Sequence, residues 1–363
     1  MNQPEQTDAA PGTPSAQVTQ LLCLLRDAVP LIDLRAPGEF ARGSVPSAIN
    51  LPILSDTERA DVGTTYKNSG QAAAIELGNR LVSGEVRDAR LKAWRDFLTR
   101  HPDARLFCWR GGLRSETAQQ WLKAAGVSAP RVAGGYKALR NACLDALGSA
   151  TTTKRWVVVG GRTGSGKTLL LQRTPLAIDL EGLANHRGSA FGARDTPQPE
   201  TANFENQLAV VLLQHQHSVL LLEDESRTIG RLAIPESWHS KMQSAELIIL
   251  ETDMASRCAN IRREYVDEPL QQGLPEADLA QRIEDALDRI ARRLGGARHT
   301  EVKRLLAEAF DNGNHSAWIE RLLSWYYDPM YDYQLEKKHQ RVTLTGDADT
   351  LLNYLNSELQ PLC

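Results

Sequence analysis

The sequence predicts two α/β domains in series, the second a doubly wound, mostly parallel sheet with extra helices. Three observations lead to that expectation. Short apolar runs alternate with amphipathic helical stretches along nearly the whole chain, the pattern of strand–helix–strand units. Residues 148–154 are small and polar and divide the alternation into two series. Each series carries one glycine-bearing loop set between an apolar run and a helical one, at residues 108–115 and 161–168. A chain of 363 residues is long enough for each half to bury its own core.

Taken in order, residues 1–17 are polar and rich in Pro, Ala, Thr and Gln. They lack the basic start and apolar run of a signal peptide and are expected to form a disordered leader. The first domain is expected over 18–148. Residues 31–34 and 48–51 read as strands, the second closed by Pro52, and 71–82 and 91–98 space their apolar residues as helices. Residues 106–108 read as a buried strand, 115–125 as a helix stopped by Gly126, and 131–136 as a strand end with a glycine turn. The second domain, 149–363, opens with a strand at 156–159 and a helix at 169–172. Further strands are expected at 177–180, 219–222, 247–250 and 342–344, with a closing helix over 347–359 and an inserted or appended helical layer around 267–330.

Composition removes several classes of function. The chain is 42% hydrophobic and 24% charged, ordinary values for a globular protein. No apolar run approaches the ~20 residues needed to span a bilayer, so no membrane partner is expected. A formal net charge of −3 confines any nucleic-acid contact to a local patch. The five cysteines (Cys23, Cys108, Cys143, Cys258 and Cys363) are scattered and form no CxxC pair. That argues against a disulfide framework and a zinc site, and fits a reducing cytoplasm.

The loop Cys108-Trp109-Arg110-Gly111-Gly112-Leu113-Arg114-Ser115 places a thiol where an oxyanion can be wrapped. The useful nucleophile is the thiolate, and the loop supplies groups that stabilise one. Arg110 and Arg114 bring positive charge, Gly111 and Gly112 allow backbone N–H groups to turn inward, and a helix starting near Ser115 aims its positive end at the same point. Cys108, Arg110 and Arg114 are therefore the candidate catalytic residues. With Ile32-Asp33-Leu34-Arg35, Glu39-Phe40, the run from Gly43 to Pro52, and Gly134-Gly135-Tyr136, this domain resembles the rhodanese family over about residues 25–148. Ordinary single-domain rhodaneses space the cysteine and arginine one residue closer; the longer spacing is similar to that of the related cell-cycle phosphatases and favours a phosphate-bearing donor.

The second loop, Gly161-Arg162-Thr163-Gly164-Ser165-Gly166-Lys167-Thr168, satisfies the P-loop pattern in full, after a strand and before a helix. Gly161, Gly164, Ser165, Gly166, Lys167 and Thr168 are the candidate phosphate-binding residues, and Thr168 can hold a Mg²⁺ ion. Glu223-Asp224-Glu225 at the end of a strand is the acidic partner, with Asp224 the preferred metal-side carboxylate. No Asn-Lys-x-Asp guanine signature is present and nothing marks an adenine site, so the loop implies a diphosphate or triphosphate and not a particular nucleotide. Asp179, Arg187, Ser189, Asp224 and Arg227 are candidate residues of a second substrate pocket. His186 is as consistent with a surface role as with ligand contact, and His215 and His217 lack a third metal ligand in the sequence.

Arg289, Arg292 and Arg293 fall at helical i, i+3, i+4 spacing and are candidate tRNA-binding residues, followed by Trp325, Tyr326, Tyr327, Tyr331 and Tyr333, whose rings could stack on bases. Interleaved Glu284, Asp285 and Asp288 support the other reading, a solvated helix beside a core aromatic cluster.

The order of parts resembles the bacterial tRNA 2-selenouridine synthases, in which a rhodanese-like domain is fused to a P-loop domain. The resemblance spans nearly the whole chain. It is most specific in the cysteine loop, the run from Gly134 to Arg140, residues 179–192, Leu222-Glu223-Asp224-Glu225-Ser226-Arg227 and Tyr326-Tyr327-Asp328-Pro329-Met330-Tyr331. The resemblance implies replacement of sulfur by selenium at C2 of a wobble 2-thiouridine in the tRNA anticodon arm. Selenophosphate, delivered free or by its synthetase, would be the donor, and geranyl diphosphate a co-substrate forming an S-geranyl intermediate. It implies no tightly bound cofactor beyond Mg²⁺. Two rivals remain at this point: a cysteine phosphatase fused to a kinase-like domain, and a nucleotide- or tRNA-binding regulator. Both loops keep every reactive residue, which argues against the regulator.

Overall fold

The computed structural model describes residues 15–189 and 191–358. Two compact units emerge, the first comprising the chain up to Gly148 together with Glu200–Gln214, the second Ser149–Pro199 with the rest of the chain from His215. The second sequence domain therefore gives up one helix to the first unit.

The first unit runs α1 (Ala16–Arg26), β1 (Leu31–Asp33), α2 (Pro37–Ala41), β2 (Ala48–Asn50), α3 (Asp56–Leu81), α4 (Gly84–Arg100), β3 (Arg105–Phe107), α5 (Leu113–Ala124) and α6 (Gly135–Thr153). Its strands pair in parallel in the order β2-β1-β3, with Ile32 set between Ile49 and Leu106. Ile32, Leu34, Trp94, Leu106 and Leu122 fill the core beneath the cysteine loop. The first helix is capped by Ser15, so the expected leader is shorter at its end: Ala16 and Gln17 are helical, and residues 1–14 lie outside the described residues. The small polar stretch at 148–154 is helical almost to its end. Its Ala and Thr residues carry α6 on to Thr153.

The chain continues with β4 (Arg155–Gly160), α7 (Lys167–Leu171), α8 (Leu180–Ala184) and α9 (Thr201–Gln214), the helix that belongs to the first unit. There follow β5 (Val219–Glu223), the hairpin β6 (Thr228–Ile229) and β7 (Leu232–Ala233), α10 (Glu236–Ser244), β8 (Glu246–Leu250) and α11 (Met254–Arg262). A helical layer comes next: α12 (Glu268–Gln271), α13 (Glu276–Leu294), α14 (Gly296–Asn312), α15 (Ser316–Leu322) and α16 (Asp328–Lys338). The last elements are β9 (Val342–Gly346) and α17 (Ala348–Glu358). The second unit's main sheet is parallel throughout, in the order β5-β4-β8-β9. A fully buried parallel sheet needs continuous apolar strands, and Val157, Val158 and Val159 supply them at its centre. The strand expected at 177–180 reduces to a single bridge between Ala177 and Leu221, because Asp179 caps α8 and turns the chain into a helix.

Two π-helical turns, Arg263–Asp267 and Leu323–Tyr327, break the helical layer. Each closes with an i→i−5 bond, from the Glu268 N–H to the Arg263 carbonyl and from the Asp328 N–H to the Leu323 carbonyl. Each is followed at once by a proline, Pro269 or Pro329. A proline cannot donate to the carbonyl four residues back and clashes with it; widening the preceding turn relieves that conflict. Among the described residues no helix is long and apolar enough to cross a membrane.

Candidate functional site

Cys108 follows β3 directly, and the loop it opens is held against the start of α6. The Cys108 and Trp109 carbonyls accept from the Tyr136 and Lys137 N–H groups at 2.9 and 3.0 Å. Gly135 makes that approach possible: a Cβ there would lie 2.2 Å from the Cys108 carbonyl oxygen, and its φ is +58°. The thiol is 3% exposed. Its polar neighbours are the Ser115 hydroxyl, 3.3 Å away, and the Gly112 carbonyl, at 3.7 Å. The sequence reading assigned stabilisation of the sulfur to arginines and glycine amides, and the hydroxyl of Ser115 was missed as its partner. Arg110 is exposed. Arg114 turns to Glu39, with Nη1 2.6 Å from the carboxylate. Burial, the largest single influence, would raise the Glu39 pKa, but the hydrogen bond and charge of Arg114, with the Ala36 N–H and the charge of Arg59, together hold the carboxyl below its ordinary range.

Beside the loop, a cavity of about 520 Å³ is lined by Arg35, Arg42, Arg59, Trp109, Arg114 and Arg140, among others. Arg35 forms its floor. Its guanidinium is buried, paired with Asp33 at 2.6 Å, donates to the Gly43 carbonyl and lies 3.9 Å from the centre of the Tyr136 ring. A buried arginine is stable only when its charge and donors are met in this way. Glu39 also lines it, paired with Arg114 and Arg59, and Arg140 pairs with Glu205, so an anion entering the cavity would compete with these carboxylates for the arginines.

The P-loop leaves the buried end of β4. Lys167 donates to the Gly161 carbonyl at 3.0 Å, and the Thr168 hydroxyl donates to Glu223 at 2.9 Å. The loop is tied from behind by α11, which the sequence reading did not single out. Arg257 donates to the Thr163 carbonyl and Asn260 to the Gly164 carbonyl, both at 2.9 Å, and Arg257 is itself fixed by Asp328. Gly164 is required there: its φ is +80°, and a Cβ would meet the Arg257 carbonyl at 2.8 Å.

Glu223, not Asp224, is the carboxylate at Thr168. Val159 of β4 pairs with Glu223, which puts that residue beside the loop. The next side chain points the opposite way, and Asp224 forms an ion pair with Lys338 at 2.7 Å. The following one returns, so Glu223 and Glu225 share a side with Glu181, their ligand oxygens all within 4.8 Å of one another. It is the one such group among the described residues. Burial pushes all three carboxyls up and Lys167 opposes it; repulsion from neighbouring carboxylates adds to the rise, from Glu223 and Glu225 on Glu181, from Glu225 on Glu223, and from Asp224 and Asp179 on Glu225, which a hydrogen bond with Glu181 partly offsets. Acidic oxygens with too little positive charge near them, beside a hydroxyl, suit a hard divalent cation.

With this geometry in place, comparison with known proteins decides the family. A family model described as "tRNA 2-selenouridine synthase AAA domain" matches residues 154–361, and one described as "Rhodanese-like domain" matches 17–142. A tRNA 2-selenouridine synthase of Marinobacter nauticus is 46% identical over 358 residues, covering 93% of this chain and 96% of that protein. One of Shewanella denitrificans is 46% identical over 360 residues, covering 94% and 97%. The chain belongs to the tRNA 2-selenouridine synthase family. Among solved structures, the N-terminal domain of a protein described as ATP/GTP binding, from Clostridium difficile 630, is 33% identical over 31% of this chain and 85% of its own. Its TM-score of 0.29 is too low to inform the fold.

The remaining predicted residues of this synthase-family chain divide into those near the P-loop and those away from it. Asp179 caps α8 by accepting from the Gly182 N–H at 2.7 Å. Arg187 pairs with Glu268 and lies over the Tyr265 ring, and the Ser189 hydroxyl is 3.0 Å from that of Tyr265. Arg227 does not join them: it is exposed and pairs with Glu236. Arg289, Arg292 and Arg293 are exposed on α13, and Arg289 lines a cleft with Arg187 and Arg282. The aromatic run is mostly core. Tyr326 and Tyr327 are buried, Trp325 packs against the helical layer, and Tyr333 is the exposed ring. His215 is tied to the Leu176 carbonyl and Lys154, and His186 is partly buried beside Gly230.

Proposed function

We propose that this protein converts a wobble 2-thiouridine of tRNA to 2-selenouridine, with geranyl transfer at the P-loop and selenium transfer at the cysteine loop. In the first step the thiocarbonyl sulfur bonds to C1 of geranyl diphosphate as the C1–O bond breaks. Diphosphate leaves with the electron pair, and the uridine N3 proton passes to solvent. The P-loop amides and Lys167 are placed to hold the departing charge. Glu223, Glu225, Glu181 and Thr168 would hold Mg²⁺, which neutralises diphosphate charge when bound. Alkylation turns a poor leaving group into a good one. In the second step selenium from selenophosphate adds to C2, geranylthiol departs with the sulfur electron pair, and hydrolysis of the Se–P bond releases phosphate. Cys108 handles the incoming selenium, and the arginine-lined cavity beside its loop takes the donor's phosphate. The cytoplasm, where tRNA is found and thiols stay reduced, is the setting this chemistry requires.

What carries this reading is the presence of both loops, intact, in one chain of this family. The experiment is nucleoside mass spectrometry of thiolated tRNA incubated with the protein and each donor, separately and together. Geranyl diphosphate alone should give S-geranylthiouridine, and both donors should give selenouridine. Cys108→Ala should stop at the geranylated nucleoside, and Lys167→Ala should block its formation. Full selenouridine from the Cys108 variant overturns the role given to that thiol. The phosphatase rival instead requires vanadate-sensitive hydrolysis of an aryl phosphate.

A further inference from the structure

The P-loop has an apolar neighbour. Thr163 of the loop, Phe191, Ile261, Ile283, Trp318 and Leu322 help to line a slot beside it. The slot is narrow, a cavity of about 30 Å³ that opens to solvent on one side. Both π-helical turns form part of its wall, one contributing Tyr265 and the other Leu323 and Tyr327. Widened turns of this kind are frequent at functional sites, beyond the local need set here by Pro269 and Pro329. Several polar groups in the wall are already engaged: the Ser189 and Tyr265 hydroxyls lie 3.0 Å apart, the Thr163 carbonyl accepts from Arg257, and the Trp318 indole N–H donates to His315. A nucleobase placed here would find few free partners for its polar edges, and polar groups left unmet away from water are costly. A flat hydrocarbon would lose nothing and would gain from leaving water.

We propose that this slot holds the hydrocarbon chain of the diphosphate ester whose head group occupies the P-loop, the geranyl chain of the co-substrate proposed above. The inference rests on the reading of the P-loop as the diphosphate site and adds where the rest of that substrate lies. On this reading the loop serves both halves of the ligand, its amides taking the diphosphate while Thr163 borders the chain. The slot also sets a length limit. Phe191, Tyr265 and Ile283 form a common wall between it and the cleft of Arg187, Arg282 and Arg289. Phe191 stands on a loop and is only partly buried against the core of the helical layer, so shortening it opens this shared wall without removing a helix residue.

The test measures binding of geranyl diphosphate, farnesyl diphosphate and inorganic pyrophosphate to the full chain by calorimetry. The proteins compared are the wild type, Phe191→Ala, Ile283→Trp and Lys167→Ala. The wild type should prefer geranyl diphosphate to pyrophosphate and reject the longer farnesyl chain by roughly 10- to 200-fold, the range for added methylenes in an apolar pocket. Ile283→Trp fills the slot and should erase the preference for geranyl diphosphate while keeping pyrophosphate binding, which doubles as its folding control. Phe191→Ala opens the end wall and should admit farnesyl diphosphate; this variant decides the matter if Ile283→Trp does not fold. Wild-type chain preference in both variants, with all binding lost in Lys167→Ala, overturns the slot and leaves the P-loop reading standing. Unchanged binding in Lys167→Ala overturns the P-loop reading, and the slot with it.

Discussion

Glu223 and Asp224 sit side by side in the sequence, and the two-residue period of an extended chain sends their carboxylates to different partners. Glu223→Gln should therefore slow single-turnover geranyl transfer by about 10²- to 10³-fold, the scale on which one group that stabilises developing charge is felt. Asp224→Asn should keep most of the rate and lower the melting temperature, since it strips Lys338 of its counter-ion. The reverse result would restore Asp224 as the metal-side group. The sequence marks the acidic run but not its faces; only the pairing of Val159 with Glu223 tells which side meets the P-loop. A second residue-scale expectation concerns Glu39. Arg114 holds its pKa below the ordinary 4.5 despite burial, so the folded chain binds fewer protons there than the unfolded chain. That stability is present above about pH 4.5 and is lost as pH falls through the lowered value. Arg114→Met leaves the carboxylate buried without its partner. The melting-temperature gap between wild type and variant should then narrow as the solution is acidified; a gap constant with pH removes the pair from the account.

At the scale of elements, the strands and their order of appearance were legible wherever apolar runs ended in turn residues. β1, β2, β3, β4, β5, β8 and β9 fall where the sequence places them, within a residue or two. The strand expected at 177–180 fails for a local reason: the segment is short, and the Asp179 cap that starts α8 outweighs its apolar composition. The glycines at 134 and 135 read as a turn from sequence, but the reason for Gly135 is contact and not conformation alone: its α-carbon faces the Cys108 carbonyl and the Gly111 N–H. Gly135→Ala must push the cysteine loop off the start of α6 and strain its own backbone, at a cost of ~1–3 kcal/mol. Selenouridine formation should fall sharply while S-geranylation persists, because the P-loop belongs to the other unit. Equal loss of both products would mean that the variant simply unfolds.

For the whole molecule, the division of labour does not follow the order of the chain. α9 lies inside the range matched by the synthase AAA family model, yet it packs within the first unit. Phe204, Leu208, Ala209, Val210 and Leu212 are its buried apolar residues, a face that a sequence reading assigns to whichever domain surrounds it. Its polar residues are more specific. Asn203 accepts from the Ser44 N–H at 2.7 Å, and Asn206, fully buried, donates to the Ser44 carbonyl and accepts from Arg140, both at 2.8 Å. These bonds fix the Gly43–Ser44 turn, whose Gly43 carbonyl in turn anchors Arg35 on the floor of the arginine-lined cavity. Asn206→Leu removes partners from a buried carbonyl and a guanidinium at once, which costs ~1–3 kcal/mol for each group left unsatisfied. The variant should lower the stability of the first unit, speed hydrogen exchange around Ser44 and weaken selenium transfer through the cavity, while pyrophosphate binding at the P-loop is kept. Unaltered exchange around Ser44 would show that α9 only covers the first unit and does not organise it.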